Sequence, residues 1–341
     1  MILACDVGGT KTNLALFERD GAGLRRVRLE SYPSAAHASL DEIVGLFLAA
    51  VGPGAAPSAA GFGVAGPVRG GTARVTNLPW EVSAARLAAR LGLPTVALLN
   101  DVEAHAWALE RTAREDVALL QAGAGDGGTV AVIAVGTGIG YSALLRGAGG
   151  TVSVASEAGH ADWAPRGEAE LGLWRWLRAR HGHVSVERVL SGAGLLAVHA
   201  WLLEDRRAAA PGWLGEAIAA GEGPAAVAAA AMEGRDPLCA EALDLFLEAY
   251  GAEAGNWALR MLSTGGLYIG GGIAGKLLFP ARAHPGWRAH AASKLLGAFA
   301  DKGRFRALLE QVPVGVLLDD KAALLGAAHY ALLAAGKPAG G

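Results

Sequence analysis

The first sixteen residues contain the feature that most constrains the fold. Two apolar, strand-like runs flank a turn with the sequence Asp6-Val7-Gly8-Gly9-Thr10, and this pattern predicts a β-hairpin with a glycine-rich loop. Glycines in such a turn allow positive φ and let backbone N–H groups approach a phosphate closely. Asp6 at the strand end can hold a metal-bound water, and Thr10 offers a hydroxyl to a phosphate oxygen. Because Gly-Gly also occurs in ordinary hairpins, the motif alone leaves both interpretations open.

Strand-like and helical segments alternate over the first hundred residues, which predicts an α/β domain. The strand-like segments lie near 2–8, 12–18, 24–31, 59–65 and 95–99, and the helical patterns lie near 39–51 and 83–91. A second hairpin is predicted at residues 130–145, and its turn Gly136-Thr137-Gly138 repeats the Gly-Thr character of the first. This weak internal repeat predicts two related halves whose facing hairpins clamp a nucleotide.

The rest of the chain is predicted to be largely helical. Residues 168–260 show helical patterns, after which a short strand precedes the glycine-rich turn Gly270-Gly271-Gly272. A strand is expected at 312–318, and an apolar helix at 320–335 is expected to pack on the N-terminal domain.

Composition excludes several classes of protein. The 341 residues are enough for two domains, and a mean hydropathy of +0.32 is typical of a globular chain. A net charge of −2 does not indicate a nucleic-acid-binding face, and no apolar stretch reaches the length of a membrane span. Cys5 and Cys239 provide neither a disulfide framework nor a zinc cluster. Without a signal peptide, a cytoplasmic location is expected.

An apolar strand brings Asn100 and Asp101 to its carboxyl end, and a helix is predicted to begin there. Ligands of open α/β sheets bind at this edge. Asn and Asp are also favoured helix N-caps, so a purely structural role stays open. In the catalytic interpretation, Asp101 is a general base that removes the proton of a sugar hydroxyl as it attacks phosphorus.

Three further polar segments are candidates for sugar recognition. Glu157-Ala158-Gly159-His160 can direct a carboxylate and an imidazole at vicinal hydroxyls, although a metal pair or a structural loop would have the same sequence. Glu187 follows Ser185, which is predicted to cap a short helix, so Glu187 can also be a first-turn residue. Asn77 lies in a polar turn and offers an amide to a hydroxyl, or simply forms an Asx-type turn.

These segments, taken in order, resemble the bacterial ATP-dependent glucokinase family. The resemblance extends from residue 2 to about 334 and rests on several independent motifs: Asp6 to Thr10, Ala65-Gly66-Pro67, Thr76-Asn77 with Trp80, Asn100-Asp101, Gly136 to Gly138, Glu157 to His160, and Glu187 to Gly192. It implies an α/β fold with two domains, ribonuclease H-like, of the actin/hexokinase superfold, with a nucleotide and sugar cleft between the domains. We predict a small domain of residues 1–108 plus 319–341 and a large domain of residues 109–318 with helical insertions.

The resemblance also implies a reaction and its residues. The chain is expected to transfer the γ-phosphoryl group of ATP to the 6-hydroxyl of D-glucose, a step of glycolysis, with Mg²⁺ as the metal ion. The resemblance implies that Asp101 is the base and that glucose is bound by Asn77, Asn100, Asp101, Glu157, His160 and Glu187. It implies that the first phosphate hairpin is formed by Gly8, Gly9 and Thr10, the second by Gly136, Thr137 and Gly138, and the adenosine loop by Gly270, Gly271 and Gly272. It also implies that Asp6 binds Mg²⁺ through water.

Two other functions stay open. A kinase for mannose, fructose or an amino sugar would differ by one or two contacts. A sugar-sensing regulator of the same superfold would need a DNA-binding segment before the hairpin. Asp6 of the hairpin is the sixth residue of the sequence, so no such segment is expected. Relatives with a zinc loop after the Glu-x-Gly-His segment carry cysteines there, whereas residues 161–180 have none, so no zinc is expected. The family further implies a homodimer.

Overall fold

The computed structural model describes residues 1–21, 23–52, 54 and 56–336. The chain divides into two compact units. The first contains Met1–Val117, Ser142–Ala155 and Asp319–Gly341, and the second contains Ala118–Tyr141 and Ser156–Leu318. The predicted domain ranges, 1–108 plus 319–341 and 109–318, stay a prediction, and their residues 337–341 lie outside the described part of the chain.

Fourteen strands and twelve α-helices are present in the described residues. The strands are β1 Ile2–Val7, β2 Lys11–Asp20, β3 Gly23–Pro33, β4 Ala59–Val64, β5 Val68–Arg69, β6 Thr72–Arg74, β7 Glu81–Ser83, β8 Ala97–Asn100, β9 Val117–Gln121, β10 Val130–Val135, β11 Ile139–Gly147, β12 Gly150–Ser156, β13 Gly266–Gly270 and β14 Val314–Leu317. The helices are α1 Leu40–Val51, α2 Ala84–Leu91, α3 Asp101–Ala108, α4 Glu168–His181, α5 Gly192–Asp205, α6 Gly212–Ala219, α7 Gly223–Met232, α8 Pro237–Met261, α9 Ala274–Leu278, α10 Trp287–Ala300, α11 Arg306–Gln311 and α12 Ala322–Ala335.

The central sheet of the first unit has the strand order β3-β2-β1-β4-β8. β1, β2 and β3 form an antiparallel meander, whereas β4 and β8 run parallel to β1. Val7, Val64 and Asn100 are partners in one row across the three parallel strands. The carboxyl ends of β1, β4 and β8 therefore lie at the same edge of the sheet.

The two faces of this sheet differ in side-chain size, because successive residues of a strand point to opposite faces. One face is part of the core that includes α1: the buried residues are Leu3, Cys5, Val7, Ala60, Phe62, Val64, Leu40, Ile43, Val44 and Phe47. The other face of β4 carries Gly61 and Gly63. A side chain at Gly61 would overlap with the Ala327 carbonyl of α12. Small residues on this face therefore let the helices approach the backbone of the sheet.

Gly326 of α12 packs closely against α3: a Cβ atom at this position would overlap with the carbonyl oxygen of Ala104. Since the obstacle is backbone, the helices must separate to accommodate a side chain. We expect Gly326→Ala to lower the free energy of unfolding by about 2–3 kcal/mol, measured by urea denaturation. Gly297→Ala is the matched control, because a Cβ atom at this α10 position meets no atom within 4 Å. An unchanged unfolding midpoint for Gly326→Ala would contradict the close packing of α3 and α12.

The larger sheet has the strand order β12-β11-β10-β13-β14-β9. β10, β13 and β14 are parallel, and Ala134 of β10 pairs with Gly270 of β13. The ends of β10 and β13, each followed by a glycine-rich turn, therefore lie side by side.

The 25-residue helix α8 is the longest element of the second unit. It begins with Pro237 at its first position, and the side chain of Asp236 caps it by accepting a hydrogen bond from the Cys239 N–H at 2.8 Å. Its small residues Gly251 and Gly255 face the backbone of α10, where side chains would overlap with the carbonyls of Leu295 and Phe299. These close contacts fix α8 against α10.

The structure confirms the predicted strands, both hairpins, the helical stretch and the packing of α12 on the first unit. Helices α6 and α7 lie within the predicted helical stretch, although their bounds were not predicted. The small sheet β5-β6-β7, the edge strands β9 and β12 and the helices α9, α10 and α11 were not predicted from the sequence. These elements have two to fourteen residues and weak periodicity. Within the described residues, no helix combines the length and the apolar character of a membrane span.

Candidate active site

The first glycine-rich loop joins β1 to β2 in the first unit. The Gly8 N–H donates to the Lys11 carbonyl at 3.0 Å and closes the hairpin. Gly8 and Gly9 do not have positive φ, so this turn does not use the backbone conformation that glycine allows. Space is tight at Gly9: a Cβ atom there would lie 3.1 Å from the carbonyl oxygen of Thr76. The loop keeps its backbone accessible, and the Thr10 side chain is exposed.

Ser34 stabilises this loop by hydrogen bonds, a role that the sequence did not indicate. It is fully buried, and its N–H donates to the Thr10 carbonyl at 3.0 Å. Its hydroxyl donates to the Gly8 carbonyl at 2.8 Å and lies 3.0 Å from Thr12 Oγ1. Ser34 therefore holds both ends of the turn, and no local pattern in the sequence marks a serine with this long-range function.

Asp6 is the last polar residue of β1 before the loop and is partly buried. Its Oδ2 accepts a hydrogen bond from Asn13 Nδ2 at 3.0 Å, and Asn13 Oδ1 in turn accepts from the Ser31 hydroxyl at 2.7 Å. This chain orients the carboxylate next to the glycine-rich loop. A carboxylate oxygen is a donor that Mg²⁺ prefers, directly or through water, so the residue present fits the predicted metal role.

Asn100 ends β8 and is the N-cap of α3, which confirms the structural interpretation of this residue. Its Oδ1 accepts from the Val102 N–H at 2.9 Å, and Glu103 Oε2 accepts from the Asn100 N–H at 3.1 Å, which completes a capping box. Its Nδ2 donates to the Gly66 carbonyl at 3.2 Å. One N–H of the amide remains for a ligand, so the sugar contact stays a prediction.

Asp101 is the first residue of α3 and is partly buried. Its Oδ1 lies 3.0 Å from the Val102 N–H, and the helix N-terminus favours a negative charge at this point. A Cβ atom on Gly63 would lie 3.6 Å from the Cα of Asp101 and 3.7 Å from the Cys5 carbonyl. The start of α3 thus crosses β4 directly beside the end of β1, where the sheet register also places the hairpin.

Asn77 lies in the turn between β6 and β7 and has a φ of 65°, a conformation that asparagine tolerates better than most residues. It is exposed, and its Cβ is 3.5 Å from the position that a Gly9 side chain would take. The Thr76 N–H donates to the Ala65 carbonyl at 2.9 Å. Thr76 and Asn77 therefore lie in a turn, and this turn lies against the first glycine-rich loop.

In the second unit, the loop Gly136-Thr137-Gly138 joins β10 to β11. The Gly136 N–H donates to the Gly138 carbonyl at 2.8 Å, and the Gly192 N–H at the start of α5 donates to the Gly136 carbonyl at 3.1 Å. The side chain of Thr137 is exposed. The loop is thus anchored at its base and open at its tip.

Glu187 lies in a short 3₁₀ turn and reaches this loop. Its Oε2 accepts a hydrogen bond from the Ile139 N–H at 3.1 Å, and a side chain at Gly138 would overlap with the same oxygen. The glycine is therefore required for the carboxylate to reach the loop. Ser185 precedes the turn, but its side chain does not cap it, so the predicted serine cap is wrong.

Glu157 and His160 are brought to the same place from another segment. Gly159 packs so closely that a Cβ atom would be 2.5 Å from the Ile139 carbonyl oxygen, and the Val186 N–H donates to the Ala161 carbonyl at 3.0 Å. The Glu157 and His160 side chains are 59% and 66% exposed, with their nearest oxygen and nitrogen 3.9 Å apart. Both are therefore available to a ligand beside Glu187.

The turn Gly270-Gly271-Gly272 follows β13, next to the end of β10. Gly271 has a φ of 84°, and a Cβ atom there would lie 2.6 Å from the carbonyl oxygen of Val135. Only glycine fits this position, because both the conformation and the space exclude a side chain. The glycine-rich turn and the second loop thus occupy the same edge of the parallel strands.

A buried polar network behind the second loop was not expected. Glu253 of α8 is 4% exposed and accepts hydrogen bonds from the Tyr141 hydroxyl, Asn256 Nδ2 and Arg260 at 3.3, 2.8 and 2.9 Å. Burial, followed by the Glu253 carboxylate, raises the pKa of Tyr141 above its ordinary value. The spacing of Glu253, Asn256 and Arg260 along one helix face was the available signal. The network fixes β11 immediately after the loop.

Comparison with known proteins places this arrangement in context. A family model described as Glucokinase matches residues 3–334. A glucokinase of Nostoc punctiforme is 40% identical over 344 aligned residues, which cover 96% of this chain and 98% of the relative. A crystal structure of glucokinase from an Antarctic psychrotroph has a TM-score of 0.79 and 28% identity, and the match covers 97% of this chain and 98% of that chain. A ROK family glucokinase from Streptomyces griseus, solved with glucose and AMPPNP, has a TM-score of 0.65 at 22% identity, with 97% and 99% covered, and shows likeness of fold alone.

Proposed function

The chain belongs to the glucokinase family, and from this premise we propose that it transfers the γ-phosphoryl group of ATP to the 6-hydroxyl of D-glucose, with Asp101 as the general base. The hexokinase-like α/β fold and the class of ATP-dependent hexose kinase follow from the same relatives. The observation that carries the assignment of the base is the position of Asp101, beside the end of β1 and therefore beside the hairpin of Asp6 and Gly8.

In the proposed reaction, the 6-oxygen of glucose forms a bond to the γ-phosphorus while the bond from that phosphorus to the β,γ-bridging oxygen breaks. Glucose 6-phosphate and ADP are the products. The hydroxyl proton passes to the Asp101 carboxylate at the start of α3. The charged form is the one that accepts a proton.

We propose that glucose is bound by the exposed or partly buried polar side chains of Asn77, Asn100, Asp101, Glu157, His160 and Glu187. Carboxylates, amides and imidazoles accept or donate hydrogen bonds to vicinal hydroxyls. Support comes from Ile139, which joins two separate segments: its N–H donates to Glu187, and its carbonyl packs against Gly159, which lies between Glu157 and His160 in the sequence.

The phosphates of ATP are assigned to the two loops, Gly8 to Thr10 and Gly136 to Gly138, and the adenosine to Gly270 to Gly272. The glycines at these turns, which leave backbone N–H groups open to a phosphate, support the assignment. We assign Mg²⁺ to Asp6, through water. When bound, this ion neutralises charge on the β- and γ-phosphates. The Asp6 carboxylate would orient the water, and a hydrogen bond from Asn13 holds this carboxylate in place.

Glucose specificity is tested by a coupled assay across glucose, mannose, fructose and glucosamine with ATP. We expect glucose to have the highest kcat/KM, because one altered hydroxyl removes a contact. EDTA should abolish turnover, and Mg²⁺ added in excess should restore it. A higher kcat/KM for mannose, fructose or glucosamine would replace the proposed substrate. Turnover that persists in EDTA would contradict the magnesium assignment.

We further propose a cytoplasmic location and a role in glycolysis. Both cysteines are free in the structure, which suits a reducing compartment, and the proposed donor and product are metabolites of that compartment. A homodimer is proposed from the family resemblance, and light scattering coupled to size exclusion measures the assembly directly.

A further inference from the structure

Three potential metal ligands meet in the second unit, in a cluster that the kinase reaction does not use. His199 lies on α5, Cys239 lies in the first turn of α8, and Asp236 is the N-cap of α8. One ligand atom of each lies within 4.8 Å of the other two. His199 is 3% exposed and Cys239 is fully buried. The three side chains therefore form a compact group inside the contact between α5 and α8.

The imidazole of His199 gives an independent indication of a ligand. Its Nε2 atom is buried and has no hydrogen-bond partner. Leaving such an atom unsatisfied is destabilising, and native structures rarely tolerate it without a reason. A metal ion bound by the ring would satisfy the buried nitrogen.

The carboxylate of Asp236 is already oriented for such a role. Its Oδ1 accepts a hydrogen bond from the Cys239 N–H at 2.8 Å, which fixes the side chain at the helix start. A carboxylate has further lone pairs for a cation. Because Asp236 is only partly buried, it also marks the side from which an ion reaches the cluster.

We propose that His199, Asp236 and Cys239 bind one divalent transition-metal ion of the zinc class. The donor set is one imidazole nitrogen, one thiolate sulfur and one carboxylate oxygen. Sulfur and nitrogen select Zn²⁺ or Co²⁺ over Mg²⁺ and Ca²⁺, which prefer oxygen alone. Three protein ligands leave the fourth tetrahedral position to water. The ion would link α5 to α8.

Binding would form a metal–sulfur bond to Cys239, and the thiol proton would be released to solvent, because the thiolate is the form that binds a metal ion.

This site disagrees with the expectation of no zinc, which was based on the spacing of cysteines alone. The folded chain adds a histidine from a different helix and an aspartate from a helix cap, neither of which has a cysteine motif around it. The site is also separate from Asp6, the residue proposed for Mg²⁺.

The test is a Co²⁺ titration of the full-length protein after dialysis against a chelator. We expect one equivalent of Co²⁺ to produce a thiolate-to-cobalt charge-transfer band and the visible bands of tetrahedral Co²⁺. Zn²⁺ should displace it, and excess Mg²⁺ should not. If wild-type protein gives no charge-transfer band, the proposal is wrong, whatever the variants do.

Matched variants identify the ligands. Cys239→Ser and His199→Gln should each weaken Co²⁺ binding by at least about 10-fold. Cys5→Ala removes the other buried thiol and should leave the band unchanged. The far-ultraviolet circular dichroism of each variant reports its folding. A band that survives in Cys239→Ser, or that disappears only in Cys5→Ala, would overturn the assignment.

Discussion

Asp101→Asn is expected to lower kcat by roughly 10²- to 10⁴-fold, the usual contribution of a general base. The amide has nearly the same size as the carboxylate and can still accept the hydrogen bond from the Val102 N–H, so α3 should keep its start. It cannot accept the proton of the 6-hydroxyl. The loss should therefore appear in turnover, while the glucose dissociation constant changes much less.

The measurement is the rate of glucose 6-phosphate formation at saturating substrates, together with calorimetric titration of glucose. Asp41→Asn is the matched control, because Asp41 is also an aspartate in the first turn of a helix in the first unit, and its partner is Arg86. It should leave kcat unchanged. If Asp101→Asn keeps more than about half of the turnover, Asp101 is not the base.

Local sequence patterns were sufficient to predict the features that lie at the ends of strands. The hairpin around Gly8 and the Asn100–Asp101 pair were predicted because apolar strands and turn residues adjoin in sequence, and the parallel register of β1, β4 and β8 then brings these ends together. Asn100, which caps α3, and Asp101, the candidate base, are adjacent residues at the start of this helix.

Other features depend on contacts between distant segments, which no local pattern records. Ser34 supports the first loop across 26 residues, and Glu187 reaches Ile139 across 48. The sequence shows a glycine at position 326, but only the structure shows that a side chain there would overlap with Ala104 of α3. Gly8 and Gly9 do not use the positive φ that glycine allows, and the space at Gly9 is limited by the carbonyl of Thr76, which belongs to a distant segment.

Glu187 has two possible functions that kinetics can separate. As a sugar ligand it should contribute a charged hydrogen bond, and the loss of such a bond raises the glucose KM by about 10- to 100-fold. As a support of the second loop, through the Ile139 N–H, it should affect ATP instead. We expect Glu187→Ala to raise the glucose KM far more than the ATP KM, because the loop keeps its other anchor at Gly192.

Glu187→Gln distinguishes the two functions, because the amide oxygen can still accept from the Ile139 N–H but carries no charge for the sugar. It should restore the ATP KM to the wild-type value and leave most of the defect in the glucose KM. Glu168→Ala, which removes an exposed first-turn carboxylate of α4, is the control and should change neither constant. If Glu187→Gln restores both constants, or if Glu187→Ala raises mainly the ATP KM, Glu187 supports the phosphate loop and does not bind glucose. In that case the sugar contacts of the second unit would reduce to Glu157 and His160, whose side chains are exposed.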